Sequence, residues 1–234
     1  MHPDSRQIIY MGINFVMSPM PTIDMQSNLN FQQSLVKQGI DFTKAELKER
    51  EIVVVREALA RLEIKVAAVS PPSIGQLLIV APRRDLTLFA KEAQAIVEAF
   101  DSTWPAKNRQ VISSDATLRD LYETSAEHAF QELWEMHLGQ SRAALSALGR
   151  PVLGGGLRFV MPPQPDDSEP VQIEVKIESF LRDTRKIYVE TQFKWPQPMP
   201  PGTPLDPENR LNQVNDYVKS EVISFIVGGS HDRS

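Results

Sequence analysis

The sequence predicts an α+β protein: an internally duplicated strand-helix-strands-helix unit, mainly antiparallel sheet with helices packed against it. Three observations predict this. Arg6-Gln7-Ile8-Ile9 reads like Arg109-Gln110-Val111-Ile112, and Leu62-Glu63-Ile64-Lys65-Val66 reads like Ile173-Glu174-Val175-Lys176-Ile177. Both matches run in the same order along the chain. Each half then closes on an amphipathic helix, near 86–104 and near 207–227. The expected organisation is a first half over 1–105, a second half over 106–228 and a loose tail over 229–234. A competing match sets Gly12-Ile13-Asn14-Phe15-Val16-Met17 against Gly156-Leu157-Arg158-Phe159-Val160-Met161. It pairs the first strand of one half with a later strand of the other, so it breaks the element order.

The elements follow from periodicity. From Ile8 to Met17, the residues Ile9, Met11, Ile13, Phe15 and Met17 alternate on one face, which predicts a strand ended by Pro19 and Pro21. Leu29 to Lys37 reads as a helix stopped at Gly39. Phe42 to Lys48 fits helix or strand. Ile52 to Val55 is β-branched and extended. Leu62 to Val69 alternates, with a turn at Pro71-Pro72, and Gln76 to Ala81 is a further strand. A helix capped by Asp85 or Thr87 carries Phe89, Ala93, Ile96, Val97, Phe100 and Trp104 as its apolar stripe.

Pro105 to Asn108 marks the junction of the halves. Gln110 to Ile112 opens the second half as a short strand, while Leu118, Leu121 and Tyr122 also fit helical spacing. A helix over 125–138 and a further helical piece over 141–148 follow, with Gly139 between them. Gly154-Gly155-Gly156 leads into the strand Leu157–Met161. Val171–Phe180 and Lys186–Trp195 form a hairpin closed by Leu181 to Thr184. Asp206-Pro207-Glu208 opens the last helix with a cap, a first-turn proline and a first-turn acid. Leu211, Val214, Val218, Val222 and Phe225 are its predicted inner face.

Composition excludes several chemistries. The 234 residues contain no cysteine, which removes disulfides, thiolate catalysis and cysteine-held zinc or iron–sulfur centres. The net charge of −5 argues against nucleic-acid binding, which needs a positive field. No stretch reaches a membrane span and no signal-length apolar run follows the start, so no membrane partner is expected and a cytoplasmic location is the default.

Candidate sites are few. His128, Glu132 and Glu135 fall on one helix face in a pattern able to hold a divalent metal, but a facing ligand set is missing and a solvated helix face accounts for them. His137, near the apolar stripe, reads as a packed, hydrogen-bonded side chain. Ser34-Leu35-Val36-Lys37 has Ser-x-x-Lys spacing without the companion motifs of such enzymes. The Gly154–Gly156 run leads into a strand, whereas a phosphate loop leads into a helix. Six prolines between Pro196 and Pro207 make a stiff loop, either a connector or a segment offered to a partner. Arg182, Arg185 and Lys186 make the hairpin turn basic, a contact for an acidic partner. Finally, Ile52–Val55 and Leu77–Val80 are apolar on both faces. That predicts helices covering both sides of the sheet, with a homodimer interface as the alternative.

The expected function is a binding or adaptor protein acting through protein–protein contacts, using exposed strand edges, the proline-rich loop or the basic turn, with no catalysis, cofactor or metal. The alternative is a small-molecule-binding protein or an unfamiliar enzyme with a cleft between sheet and helices.

Overall fold

The computed structural model describes residues 1–57, 61–69, 73–167 and 169–228. The turn at 70–72 and the tail at 229–234 lie outside the described residues. Nine strands among the described residues form one antiparallel sheet. Two long strands, β1 (His2–Ser18) and β6 (Gln110–Glu123), run side by side at its centre. The first half continues as β2 (Lys44–Lys48), β3 (Glu51–Arg56), β4 (Leu62–Val69) and β5 (Ile74–Ala81), a meander that returns to β1. The second half continues as β7 (Gly156–Met161), β8 (Gln172–Ser179) and β9 (Lys186–Trp195), a meander that returns to β6. The order across the sheet is β2-β3-β4-β5-β1-β6-β9-β8-β7. Counted outward from the central pair, β4 and β8 hold the same place.

The described helices pack on one face. They are α1 (Met25–Lys37), α2 (Leu86–Thr103), the short α3 (Ala129–Gln131), α4 (Pro207–Tyr217) and α5 (Ile223–Gly228). α3 runs on into a π turn over Glu132–His137, and α4 reaches α5 through a second π turn over Val218–Val222. The starts obey capping chemistry. Asp24 accepts from Ser27 N at 2.7 Å, Asp85 from Leu88 N at 3.0 Å and Asp206 from Asn209 N at 3.1 Å. The alternating residues Met11, Ile13, Phe15 and Met17 of β1 meet Phe31 and Leu35 of α1, Phe89 and Phe100 of α2, and Leu211 and Val214 of α4 in one core. Phe31, Phe100 and Trp104 close its end, with ring centroids 4.9 to 6.5 Å apart.

Four expectations change. The stretch from Gln110 is one strand through Glu123, with no helix in it. Leu118 and Tyr122 are four residues apart, a spacing that one face of a strand and one face of a helix share. The expected helix over 125–138 is only the short α3 and its π turn, and 142–148 is a 3-10 helix. Among the described residues, helices do not cover both faces. Val53, Val55, Leu78 and Val80 are half-buried on the open face because charged neighbours flank them in register. Lys65 lies between Val53 and Leu78, and Glu63 lies between Val55 and Val80. The aliphatic stems of such residues shield apolar neighbours. Finally, Phe225 is 55% exposed, and Ile226 takes the inner position instead. A π turn winds more residues into each turn, so everything beyond it is rotated by roughly one residue, about 100°.

Candidate functional site: an apolar groove at the β7 edge

Among the described residues, β7 ends the sheet and has a neighbour, β8, on one side only. It lies unusually close to β8, and the glycine run permits this. A Cβ on Gly156 would fall 2.1 Å from the Ile177 carbonyl oxygen and 2.7 Å from Glu178 Cα. Gly155 donates to Ser179 Oγ at 3.0 Å, and its carbonyl accepts from Ser179 N at 3.0 Å. The three glycines therefore seat an edge strand. They form no anion cradle.

Beyond this strand the second π turn shapes a groove of about 500 Å³. Met161, Val175 and Ile177 form its floor, and Tyr217, Val222 and Phe225 form its helical wall. The rotation that expels Phe225 from the core brings its ring edge-on to Phe159, with centroids 5.4 Å apart. Phe159, Val160 and Phe225 remain at least 36% exposed, so the rim is apolar and open to solvent. Of the polar residues that line it, Glu221 stands exposed on the helical side, and Tyr217 and Arg158 are engaged with neighbours. The Tyr217 hydroxyl donates to Met161 Sδ at 3.4 Å, and burial pushes its pKa up. Arg158 bonds Glu174 Oε1 at 3.0 Å, which holds that carboxyl below the usual range. Glu174 belongs to a ladder on the open face. Lys176 reaches Glu190 at 2.5 Å, Arg119 reaches it at 2.6 Å, and the Tyr188 hydroxyl donates to it at 2.8 Å. The groove thus offers apolar contact and an unpaired strand edge, without converging acid, base or nucleophile.

Behind β8 and β9 a buried cluster fixes this end of the sheet. The Glu132 carboxylate accepts from the Met1 ammonium, from Thr124 Oγ1 at 2.5 Å and from Ser125 N at 2.7 Å. Burial alone would raise its pKa. The ammonium, the hydroxyl and the amide outweigh burial and hold it at about 2.

The residues singled out in the sequence do not converge on one place. Arg182 and Arg185 project from the β8–β9 turn, exposed, whereas Lys186 is drawn to Glu123 at 2.5 Å. The same turn is tied down, since its Thr184 carbonyl accepts from Ala129 N at 2.8 Å. His128 only precedes α3, Glu132 points inward, and Glu135 pairs with Arg142 at 2.8 Å, so the three share no face. His137 Nε2 lies 3.6 Å from Glu132 and makes no hydrogen bond among the described residues, contrary to the expectation of a bonded side chain. Ser34 and Lys37 occupy the last turn of α1, where Lys37 is exposed. The proline-rich loop leaves β9 and lies beside the start of β6. Met199 N donates to the Val111 carbonyl at 2.8 Å, Gly202 N donates to the Arg109 carbonyl at 2.9 Å, and Leu205 is buried. It serves as an anchored connector. The groove itself escaped the sequence reading. Its one local signal was Phe159-Val160-Met161, apolar on both faces of a strand that is followed at once by Pro162-Pro163.

No protein-family model matches the chain, and no curated protein matches it. One solved structure that it resembles is described as the crystal structure of the di-domain ARO/CYC StfQ from the steffimycin biosynthetic pathway. The identity is 8%, the alignment covers 92% of this chain and 95% of the other, and the TM-score is 0.21. A likeness at that score carries no argument. No helix among the described residues is long and apolar enough to cross a membrane.

Proposed function

We propose that this chain is a binding protein working through protein–protein contact, with the β7 edge and its groove as the contact surface. One observation carries the reading: a strand with one edge open among the described residues, exposing Phe159 and Val160, runs beside an apolar groove walled by Phe225. A partner strand added to such an edge gains backbone hydrogen bonds, and the adjacent groove selects apolar side chains. The basic turn is proposed as a secondary contact through Arg182 and Arg185, with Lys186 contributing less because of its bond to Glu123. A second reading is an apolar small molecule in the groove, since about 500 Å³ lies within the usual range of ligand pockets.

The test is fluorescence anisotropy with a labelled extended peptide of alternating Val and Phe, beside titration with an apolar dye. Wild type should bind the peptide, and Phe159→Lys/Phe225→Glu should lose at least about tenfold in affinity, given about 1.4 kcal/mol per tenfold change. Equal binding by the double variant would sink the edge reading. Dye binding that the variant abolishes, without peptide binding, would favour the small-molecule reading.

We also propose that the halves over 1–105 and 106–228 descend from one duplicated unit. Support comes from the equal placement of β4 and β8, whose sequences match. It also comes from the two matched arginines. Arg6 of β1 bonds Asn215 of α4 at 2.7 Å, and Arg109 beside β6 bonds Asp101 of α2 at 2.5 Å. Each reaches the closing helix of the opposite half, the exchange that a two-fold relation requires. Superposing the halves of an experimental structure is the check. Failure of β4 to overlay β8 would end the idea.

A further inference from the structure

We infer that the occupant of the β7 edge is a second copy of this chain, paired antiparallel through β7 about a two-fold axis at Phe159. This rests on the edge-contact reading above and adds the identity of the partner. The backbone phase comes first. The Gly155 carbonyl accepts from Ser179 N, so the peptide groups of residue 155 face β8. In an antiparallel strand that facing alternates, so 157, 159 and 161 face β8 as well, and the N–H and C=O groups of Gly156, Arg158 and Val160 point away from the sheet.

Register comes next. A two-fold axis makes the surface meet itself, so the strand must be self-complementary. Centred on Phe159, Arg158 lies opposite Val160 of the second copy, and each such pair exchanges both of its outward hydrogen bonds. The inward residues then match end to end, Phe159 on Phe159 and Leu157 on Met161, all apolar. Neighbouring registers are worse. Centring on Arg158 sets two guanidinium groups face to face. Centring on Val160 leaves one fully bonded pair, because Pro162, which has no N–H, then lies opposite Arg158; centring on Phe159 keeps two such pairs and moves Pro162 out to Gly156. In the favoured register the strand's single charge stays on its own Glu174. The exposed Phe225 rings, each beside its own Phe159, are covered by the same association.

The chain has no cysteine, which permits a direct test on all 234 residues. Residues facing each other in a non-hydrogen-bonded antiparallel pair have Cα atoms about 4.5 Å apart, within disulfide range. Under mild oxidation Phe159→Cys should convert to a covalent dimer at least about tenfold faster than Leu157→Cys. Sedimentation equilibrium should show a concentration-dependent dimer for wild type, and a monomer with unchanged circular dichroism for Val160→Pro. A wild type that stays monomeric at every concentration, or equal crosslinking at the two positions, would overturn the second-copy inference. If that monomer still binds the extended peptide, the edge-contact reading stands without it. If it binds nothing, both fall.

Discussion

The two edges of this sheet are built on opposite chemistry. β2 presents Lys44, Glu46 and Lys48, with Lys44 bonded to Glu46 at 2.5 Å and Lys48 to Glu51 at 2.7 Å. Charges on an edge strand resist pairing with another chain, because a docking strand would have to strip them of water. β7 carries a single charge, Arg158, which is committed to Glu174, and it exposes Phe159 and Val160. One sheet therefore guards one edge and leaves the other open. An unguarded apolar edge is an aggregation liability unless something covers it. The contrast teaches that two edges of one sheet can share a strand order and still differ in chemistry.

The largest expected effect concerns the support behind the open edge. Glu132→Gln should destabilise the fold by about 3–5 kcal/mol at pH 6, because it leaves a buried ammonium unpaired. The sign follows from the lowered pKa. A carboxyl held at about 2 contributes stability that is fully present above its ordinary value and is lost as pH falls toward 2. Urea unfolding of wild type and variant between pH 6 and pH 2.5 should show the difference shrinking steadily. A gap independent of pH would mean that Glu132 acts by packing alone, and the open edge would lose its electrostatic anchor.

A smaller effect is expected at the guarded edge. Lys44→Val/Glu46→Val/Lys48→Val should shift folding stability by no more than about 1 kcal/mol, since exposed pairs contribute little. It should nevertheless create a new association, seen by light scattering as species larger than those of wild type. If mass stays unchanged, charge is not what separates the two edges and the comparison breaks.

The smallest effect belongs to the basic turn. Arg182→Ala/Arg185→Ala/Lys186→Ala should cost under about 1 kcal/mol, most of it from the Lys186–Glu123 pair. Capture of an acidic peptide should weaken, most visibly at low salt where screening is least. Retained capture at low salt would confine recognition to the β7 edge and sharpen the contrast.

Legibility in the sequence followed the range of the forces involved. β4 over Leu62–Val69, the β8–β9 hairpin and the caps Asp85 and Asp206 were readable because alternation, helical stripes and cap chemistry are local. The length of β6 was not, since Leu118 and Tyr122 satisfy two periods at once. Nor was the inward turn of Glu132, because its ammonium partner lies 131 positions away. The groove was the least legible feature. Being an edge strand is a property of the whole pairing order, and nothing within Gly156–Met161 states that β7 has only one neighbour. Phe225 was misassigned for a related reason: helical wheels assume a constant turn, and the π turn over Val218–Val222 breaks that assumption.

That π turn also sets what kind of variation the groove tolerates. Whether Phe225 or Ile226 meets the core depends on how many residues the chain winds between Tyr217 and Ile223. The groove wall is therefore specified by counting, as a reading frame is. Substitutions within 218–222 that preserve the count leave the wall in phase. Rewinding 218–222 as a regular α turn, with one residue fewer to each turn, would carry everything beyond it round by about 100°, drawing the aromatic ring toward the protein and narrowing the surface.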